Sequence, residues 1–591
     1  MGRNAGPARG LGAPGARDDT TLRGAVWNHL DCDRPLVEQL QRELSLHPTV
    51  ARLLVQRGLE DPAAARRFLH PSLDDLHSPS RLTDLDRAAE RLLGAVARRE
   101  SVAVHGDYDA DGISSTAMLH RALELLDGDV THFIPERLQD GYGLRAETVE
   151  RLHARGIRVI VSVDCGIRSL AAARRARELD VDLIVTDHHE PDTTLPPAFA
   201  VLNPRRPDCA YPDKNLAGVG VAFKLVQALC QRSGRTAWLQ GFVKLAAIGT
   251  LADAVPLRGE NRVLAKVGLE RLSVGPHTVG LQALLEASGL AGRRIDSEDV
   301  AFQIAPRINA AGRMSSADLA TRLLLATRAG DAAEAKSLAE ALNAENARRR
   351  EEEAGIVADA NRVIEQDPDI GGQNLLVVWA EGWHRGVIGI VASKLVETFA
   401  RPAIVLSVDG DEAHGSGRSI PAFDLLAALE RHADLFVRFG GHRQAAGMVV
   451  ESRRLQELRR RLAAYANEHI EPADLVPRLT VDAPLPLTDV RDRLLRDLAA
   501  LEPFGRGNPR PVFQAGPVEL TDGPHLMNGR HLRMTLRQGR AAFPAVAWRA
   551  GDRAAVLAHR RGLNVAFSLG EDTYRGNRFL RLTVADALEH C

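Results

Sequence analysis

Short apolar runs alternate with helical patterns from residue 102 to about residue 272, and this alternation predicts a doubly wound α/β domain. The first run, Val102–Val104, predicts a buried strand. Ser114 is the expected N-cap of a helix over Ala117–Leu126. The same patterns predict further strands and helices, in chain order Thr131–Ile134, Ala146–Arg155, Val159–Val163, Leu170–Leu179, Leu183–Val185 and Val221–Cys230.

The rest of the chain shows other patterns. Apolar residues at helical spacing predict helices over Trp27–Arg57, Leu85–Arg98 and Arg453–Glu468. Ala332–Glu365, dense in Ala, Glu and Arg, predicts one long charged helix. A second α/β unit is expected from Leu375–Trp379, Val387–Thr398, Ala403–Val408 and Phe423–His432. Six short runs separated by turn residues then predict a small β-barrel, at Leu479–Val481, Val512–Gln514, His531–Leu536, Ala545–Trp548, Asn564–Leu569 and Phe579–Ala585.

Acidic and imidazole side chains follow the apolar runs of the α/β region. The first run is followed by His105, Asp107, Asp109 and Asp111. Three later apolar runs are followed by such residues as well. Val159–Val163 is followed by Asp164, and Leu183–Val185 is followed shortly by Asp187, His188 and His189. Leu245–Leu251 is followed shortly by Asp253. Because the carboxyl ends of parallel strands share one sheet edge, these groups should converge there. Oxygen and nitrogen ligands of this mixture suit Mn²⁺ or Mg²⁺. The alternative interpretation is that these stretches are ordinary turns, in which Asp and Gly are common.

Composition narrows the class of protein. The chain has 591 residues, too many for one core, so three domains are expected. A hydrophobic share of 45% and a charged share of 26% are ordinary for a soluble globular protein. Since the formal net charge is −1, any surface for nucleic acid must be a local basic patch.

Cysteine usage and hydropathy exclude other classes. The five cysteines are scattered without a CxxC pair, which argues against a zinc site or a disulfide framework and fits a reducing cytosol. No run of 18 apolar residues occurs, so no membrane span is expected. Met1–Arg17 lacks the apolar core of a secretory signal and is predicted to be a disordered tail.

The triplet Asp187-His188-His189 is the signature for which the DHH phosphoesterase superfamily is named. Further motifs follow in order: PRINAAGRM (Pro306–Met314), GSGRSI (Gly415–Ile420), FGGH (Phe439–His442) and PFGRGNP (Pro503–Pro509). On these motifs the chain, from about Trp27 onward, resembles the RecJ family of bacterial single-strand-specific DNA exonucleases.

The resemblance implies an α/β multidomain protein. Its parts would be a doubly wound DHH domain, a long connecting helix, a smaller α/β DHH-associated domain and a C-terminal β-barrel with an OB-fold. The implied boundaries are 1–22 for the disordered tail, 23–330 for the DHH catalytic domain with an N-terminal helical lead-in, 331–368 for the connecting helix, 369–470 for the DHH-associated substrate-binding domain and 471–591 for the OB-fold single-strand-binding domain.

The resemblance also implies a pair of Mn²⁺ or Mg²⁺ ions, about 3.5–4 Å apart, that serve phosphodiester hydrolysis. The implied ligands are His105, Asp109 and Asp164 for one ion, and Asp111, Asp164, His188 and Asp253 for the other, with Asp164 as the bridge. His189 is expected to contact the scissile phosphate or protonate the leaving group, and Asp187 to orient a histidine. Asp107 is either a supporting residue or a turn residue.

Other motif residues are expected to bind the substrate. Arg307, Asn309 and Arg313 are assigned to phosphate, with surface or salt-bridged arginines as the alternative. Gly218–Gly220 begins a helix close to a phosphate or forms a packing turn. Because glycines let a backbone approach phosphates, further contacts are expected at Ser416, Arg418, Gly440, Gly441 and His442, with His384 and Arg385 as weaker candidates.

The predicted barrel is rich in basic side chains with a few aromatic ones, a combination that grips single-stranded nucleic acid. They are Arg530, His531, Arg533, Arg537, Arg540, Trp548, Arg549, Tyr574, Arg575, Arg578 and Arg581. A protein-docking barrel with ordinary surface arginines is the alternative.

The implied function is a metal-dependent 5′-to-3′ exonuclease that degrades single-stranded DNA to mononucleotides in the bacterial cytoplasm, in DNA repair and recombination. Single-strand-binding protein and a RecQ-type helicase are the partners that the family suggests. A DHH phosphodiesterase acting on short oligonucleotides or cyclic dinucleotides is the alternative enzyme. A non-catalytic scaffold of the same fold is a third hypothesis, and it should lack ligands that this sequence retains.

Overall fold

The computed structural model of the chain describes residues 22–136, 143–558, 562–574 and 577–589. They form two compact units. Unit 1 comprises residues up to 58, residues 350–496 and residues from 511 onward, and unit 2 comprises residues 59–349 and 497–510. The predicted tail lies outside the described residues except at Leu22. Within the described ranges, no helix combines the length and the apolar character that crossing a membrane requires.

Unit 1 begins with a strand and two short helices, where the sequence predicts helix throughout residues 27–57. The elements are β1 (Val26–His29), α1 (Arg34–Leu44) and α2 (Pro48–Gln56). Asp33 caps α1 by accepting a hydrogen bond from the Leu36 N–H at 3.2 Å. The sequence pattern does not reveal the strand, because its partner for parallel pairing is the distant segment 478–481.

Unit 2 contains the predicted doubly wound domain. Its elements are α3 (Pro62–Leu69), α4 (Leu85–Arg98), β2 (Val102–Gly106), α5 (Ala110–Leu125), β3 (Val130–Phe133), α6 (Ala146–Ala154), β4 (Val159–Val163), α7 (Leu170–Glu178), β5 (Asp182–Thr186), β6 (Ala200–Leu202), α8 (Gly218–Arg232), α9 (Leu239–Ala252), α10 (Gly259–Val274), α11 (Val279–Ala287), α12 (Ser297–Asp299), α13 (Ala305–Met314) and α14 (Asp318–Leu325). The strands form a parallel sheet in the order β3-β2-β4-β5-β6. Val102 and Val104 pack in a core with α4 and α8, whereas Ala103 packs in a core with α6 and α7. Helices therefore cover both faces of the sheet, and the predicted architecture is confirmed.

Three predicted elements of unit 2 are wrong. The helix after β2 begins with Asp109 as its N-cap, and Ser114 is buried inside it. Leu245–Leu251 belongs to helix α9 and not to a strand, because a short, fully apolar run has no periodicity that separates the two. Pro306–Met314, which the sequence places between helical regions, forms helix α13 itself.

The predicted long helix is α15 (Ala332–Gln366), along which the chain passes from unit 2 into unit 1. The second α/β unit follows as α16 (Pro368–Gly371), β7 (Leu376–Glu381), α17 (Ile388–Phe399), β8 (Ala403–Asp409), β9 (Glu412–Arg418), α18 (Leu425–Arg431), β10 (Phe436–His442), β11 (Ala445–Glu451) and α19 (Leu455–His469). Its strands form one mixed sheet in the order β10-β11-β9-β8-β7.

The C-terminal region contains the predicted barrel. Its elements are β12 (Arg478–Val481), β13 (Ala483–Pro484), α20 (Asp492–Ala500), β14 (Phe513–Met527), β15 (His531–Gln538), β16 (Ala541–Ala547), α21 (Ala554–Ala558), β17 (Leu563–Tyr574) and β18 (Asn577–Glu589). Five strands, β14 to β18, close the barrel because β14 pairs with both β15 and β17. The predicted strand Leu479–Val481 exists, but it pairs with β1 and not with the barrel.

Candidate metal centre and substrate contacts

Three strands of the unit 2 sheet end at one level, and an acidic residue follows each of them. The last residues of β2, β4 and β5 are register partners. The next residues along the chain are Asp107, Asp164 and Asp187. The parallel sheet therefore brings these side chains to one edge, as the sequence predicts.

Seven side chains at this edge form three overlapping groups that could hold a metal ion. The groups, each with its ligand atoms within 4.8 Å of one another, are Asp107, Asp109 and Asp164; Asp111, His188 and Asp253; and Asp164, His188 and His189. Asp164 and His188 each belong to two groups. Asp253 is the C-cap of α9, so a helix end and not a strand delivers it.

The N-terminus of α8 fixes the carboxylate of Asp111. The N–H groups of Gly218 and Val219 donate to its two oxygens at 2.8 and 2.7 Å. A Cβ on Gly218 would lie only 2.4 Å from Oδ1 of Asp164, so a glycine is required at this position. The Gly218–Gly220 segment therefore begins a helix, and its amides hold a carboxylate.

Asp164 has a left-handed backbone, with φ +58°, which a residue with a Cβ rarely adopts. Its N–H donates to the Thr186 carbonyl at 2.9 Å, and this contact ties the turn to the end of β5. Strained backbone of this kind concentrates at functional sites. The conformation here belongs to a residue with two sets of candidate ligands around it.

Asp187 and His189 form a hydrogen-bonded pair beside the ligand groups. Nδ1 of His189 lies 2.7 Å from Oδ1 of Asp187, and the Ile167 N–H donates to Oδ2 at 2.9 Å. Burial alone would raise the pKa of Asp187, but the bond from His189 brings it below its ordinary value. Burial alone would lower the pKa of His189, but Asp187 raises it to about 9.

The pKa values of three other carboxylates are raised, and a bound cation would offset the causes of these shifts. Burial, reinforced by neighbouring carboxylates, raises the pKa of Asp111 to about 7 and that of Asp253 to about 7. The same causes raise the pKa of Asp164 well above its usual range. Nε2 of His188 lies 3.2 Å from Oδ1 of Asp164, but these two buried atoms and Nδ1 of His188 make no hydrogen bond to any described residue. Oriented, unsatisfied oxygen and nitrogen atoms of this kind fit a divalent ion.

His105 is buried at the end of β2, where its Nδ1 lies 3.6 Å from Sγ of Cys165 and its ring stacks on Phe133. The groups found among the described residues contain Asp107 and do not contain His105. The ligand role of His105 therefore stays a prediction, and Asp107 becomes a stronger candidate than its sequence context indicates.

Helix α13 packs directly on the acidic loop. Oδ1 of Asn309 accepts a hydrogen bond from the Ala110 N–H at 2.7 Å, and a Cβ on Gly312 would lie 2.6 Å from the Tyr108 carbonyl. Arg307 donates to Oδ1 of Asn343 at 3.1 Å, and Arg313 is partly buried. Oδ1 of Asn309 thus supports the start of α5, and the assignment of Asn309 and the two arginines to phosphate stays a prediction.

The glycine-rich stretches of unit 1 lie in neighbouring strands. Arg418 of β9 and His442 of β10 pair with the same residue of β11, and so do Ser416 and Gly440. Because paired residues share a face of the sheet, Ser416, Arg418 and His442 form one polar row. Nη1 of Arg418 donates to Oγ of Ser416 at 3.0 Å, and a Cβ on Gly440 would meet no atom within 4 Å. Gly441, with φ +152°, precedes the histidine. We call this row the β9–β10 row.

The barrel carries an aromatic side chain between basic ones. Trp548 is 40% exposed, with the ring of His531 at 4.9 Å and the guanidinium of Arg581 at 5.7 Å. Arg537 instead forms an ion pair with Glu519 at 2.6 Å. The side chains of Tyr574, Arg575 and Arg578 lie outside the described part of the structure.

Several residues near the centre are not identified by sequence reasoning. Asn203, fully buried, donates from Nδ2 to the His189 carbonyl at 2.9 Å and accepts from the Arg205 N–H at 2.7 Å. The positive charges of Arg205 and Arg506 act on Asp253. The PFGRGNP motif marks Arg506, but a single Asn outside any motif gives no signal of its own.

Comparison with known protein families gives three matches along the chain. They are the DHH family, N-terminal domain, over residues 101–250, the DHHA1 domain over residues 372–468 and the RecJ OB domain over residues 481–586.

Curated relatives match nearly the whole chain. The single-stranded-DNA-specific exonuclease RecJ of Bacillus subtilis strain 168 is 36% identical over 564 residues, which cover 95% of this chain and 70% of the relative. The protein of the same name from Escherichia coli K12 is 34% identical over 574 residues, with 93% and 97% covered. The one from Thermus thermophilus is 38% identical over 554 residues, with 92% and 78% covered.

Solved structures agree with the sequence relatives. The crystal structure of RecJ in complex with Mn²⁺ from Thermus thermophilus matches with a TM-score of 0.81 and 34% identity, over 95% of this chain and 79% of that chain. The complex with Mg²⁺ from the same organism matches with a TM-score of 0.75 and 32% identity, over 95% and 78%.

Proposed function

Because the chain belongs to the RecJ family of single-stranded-DNA-specific exonucleases, we propose that it hydrolyses single-stranded DNA with divalent metal ions. The observation that carries the proposal is the set of overlapping ligand groups around Asp164 and His188. The match to the RecJ OB domain favours long strands over the short oligonucleotides or cyclic dinucleotides of other DHH phosphodiesterases. Release of mononucleotides from the 5′ end, in DNA repair and recombination, is the part of the proposal that rests on the family resemblance.

For the metal we propose two sites that share Asp164. Asp111, His188 and Asp253 hold one Mn²⁺ or Mg²⁺ ion together with Asp164. His105 and Asp109 hold the other, with Asp107 as an additional donor supported by its group. The shared carboxylate is supported by the two groups that contain Asp164, one with Asp107 and Asp109 and the other with His188 and His189.

Bound ions would polarise the scissile phosphate and activate the attacking water. The residues of the chain orient the reaction around them. Asp187 fixes the imidazole of His189 through Nδ1, so Nε2 is the nitrogen on the far side of the ring. We assign to Nε2 of His189 the contact with the scissile phosphate or the proton delivered to the leaving oxygen.

The strand itself is held by other parts of the chain in this proposal. The β9–β10 row supplies a guanidinium, an imidazole and a hydroxyl to phosphate oxygens, and Arg307, Asn309 and Arg313 are assigned the same task. The barrel contributes phosphate contacts, and Trp548 is a surface for one base. Because aromatic residues make up only 4% of the chain, salt-sensitive phosphate contacts should dominate the affinity.

The proposed cellular location and partners follow from the single-stranded DNA substrate. We propose that it acts in the bacterial cytoplasm, with single-strand-binding protein and a RecQ-type helicase as partners, since a helicase generates the single strands that such an exonuclease consumes. No docking motif for either partner is evident in the sequence.

The test is a digestion of long labelled single strands blocked at the 5′ or the 3′ end, with and without Mn²⁺, beside a dinucleotide. Mononucleotides should appear from the 3′-blocked strand only, and only with metal. Faster hydrolysis of the dinucleotide than of the long strand would support the alternative phosphodiesterase. Degradation of the 5′-blocked strand would reverse the proposed direction.

A further inference from the structure

Asn261, in the first turn of α10, is fully buried and belongs to none of the ligand groups. Its Oδ1 accepts a hydrogen bond from the Ala217 N–H at 3.2 Å. Its Nδ2 donates to the carbonyl of Asn215 at 2.5 Å and to that of Pro256 at 3.2 Å. Because the acceptor faces an N–H and both donors face carbonyls, no other orientation of the amide satisfies all three bonds.

The segments that Asn261 joins each lead to a candidate metal ligand. Ala217 directly precedes the two N–H groups that hold the Asp111 carboxylate. Pro256 lies in the short loop that follows Asp253. These two aspartates belong to one ligand group, although their carboxylates are not connected to each other by any bond described above. The amide of Asn261 is therefore a bridge between the supports of two ligands.

The loop after Asp253 is also held on its other side, by the segment 503–509. The Leu257 N–H donates to the Arg506 carbonyl at 2.8 Å, and Nε of Arg258 donates to the Gly507 carbonyl at 3.1 Å. This segment restrains the loop from that side. The amide of Asn261 is a hydrogen-bonded connection between the loop and the residue before α8, and the bond from Lys224 of α8 to Glu260 is a second contact between α8 and the first turn of α10.

We infer that Asn261 is a positioning residue that sets the separation between the Asp111 and Asp253 carboxylates. The inference rests on the proposed function, because it takes both carboxylates as ligands of one ion. Residues that support ligands in this way typically change metal affinity or activity about 10- to 100-fold when they are replaced. Since Asn261 touches neither ion nor substrate, its loss should weaken metal binding and leave substrate binding without metal unchanged.

The experiment replaces Asn261 in the full-length chain. Asn261→Asp keeps the shape but turns both donors into acceptors that face carbonyls, and Asn261→Ala removes all three bonds. Asn346→Ala is the matched control, since Asn346 is a buried asparagine of α15 whose side chain accepts from Arg349 at 3.1 Å. Asp253→Ala is the reference for a lost ligand. Mn²⁺ affinity is measured by calorimetry, beside the Mn²⁺ dependence of cleavage and single-strand binding without metal.

The expected result is Mn²⁺ binding weakened about 10- to 100-fold in both Asn261 variants, with cleavage by Asn261→Ala recovered at high Mn²⁺ and with Asn346→Ala unchanged. If Asn261→Asp does not fold, Asn261→Ala decides. Lower thermal stability with unaltered Mn²⁺ affinity, while Asp253→Ala loses metal, overturns the inference and leaves the proposed function standing. Normal Mn²⁺ affinity in Asp253→Ala overturns both.

Discussion

At the scale of single residues, Asp164 combines three properties: membership of two ligand groups, burial and a strained backbone. Asp164→Ala should therefore abolish cleavage, and excess Mn²⁺ should not restore it, because both groups lose a carboxylate. Asp109→Ala, which affects one group, should regain part of its activity at high Mn²⁺. The measurement is a Mn²⁺ titration of the cleavage rate in both variants.

A binding assay separates this effect from a general defect. Without metal, Asp164→Ala should retain the single-strand affinity of the unmodified chain, since the barrel and the β9–β10 row are unchanged. Complete recovery of Asp164→Ala at high Mn²⁺ would contradict the shared role and leave Asp164 an ordinary ligand.

Sequence reasoning identifies the ligand candidates but not the groups that orient them. Asp109 and Asp164 are recognisable because each follows an apolar run within a few residues. The Gly218 amide and Asn261 act on partners far away in the chain, so their local sequence gives no signal, and Asn203 is a single Asn outside any motif. The left-handed backbone of Asp164 is equally invisible, since aspartate is not a residue that requires it.

At the scale of elements, the N-terminus of α8 packs closely against Asp164, and this contact requires a glycine at position 218. Gly218→Ala should displace the Asp164 carboxylate, because the new Cβ would lie 2.4 Å from its Oδ1. We expect Mn²⁺ affinity to fall roughly 10- to 100-fold, as for other supports of a metal site. Calorimetry on the full-length chain measures it.

Gly241→Ala in α9 is the control, because a Cβ there would meet nothing within 4 Å and alanine favours a helix by about 0.5–1 kcal/mol. That variant should bind Mn²⁺ normally and be slightly more stable. A folded Gly218→Ala chain with unaltered affinity would show that Asp164 is not fixed by α8.

The β9–β10 row should affect turnover and not metal binding. Arg418→Ala would remove the proposed charge-assisted contact to phosphate, worth about 1.5–3 kcal/mol, which corresponds to a rate loss of roughly 10- to 150-fold. Mn²⁺ affinity should stay the same. Arg453→Ala is the control, since Arg453 belongs to the same unit, is 82% exposed and pairs only with Glu451 among the described residues. Loss of metal from Arg418→Ala would instead make Arg418 part of the metal centre.

Element type is predicted well where composition is distinctive and poorly where a short apolar run stands alone. The long helix α15 follows from its Ala, Glu and Arg content, and β4 and β5 follow from runs rich in β-branched residues. Asp253 is the instructive case, because the structure brings it into a candidate ligand group although its predicted element is wrong. The apolar run before it has a polar end in either conformation, so the error in the element does not change the position of the acidic group.

At the scale of the whole molecule, the order of the motifs suggests residue 471 as a truncation point, since every candidate ligand precedes it and the barrel arginines follow it. The structure changes this picture, because residues 497–510 belong to unit 2. Arg262, 2% exposed, donates to the carbonyls of Phe68, Ala500 and Glu502 at 2.6, 3.2 and 3.0 Å. Such non-local packing cannot be predicted from the sequence, and it places the better truncation point after Arg510.

A chain that ends at Arg510 should retain Mn²⁺ binding and lose much of its affinity for long strands, because it lacks β14 to β18 and their arginines. Its affinity should also fall less steeply with salt than that of the full chain, by about 0.7 in the logarithmic slope for each phosphate that is no longer neutralised.

A chain that ends at Glu471 is the second truncation. It should have the same reduced slope but a lower melting temperature, since it loses the hydrogen bonds from Arg262 to the carbonyls of Ala500 and Glu502. Filter binding at several salt concentrations, with thermal melts, tests both. Equal slopes for the full chain and the chain ending at Arg510 would exclude the barrel from phosphate binding.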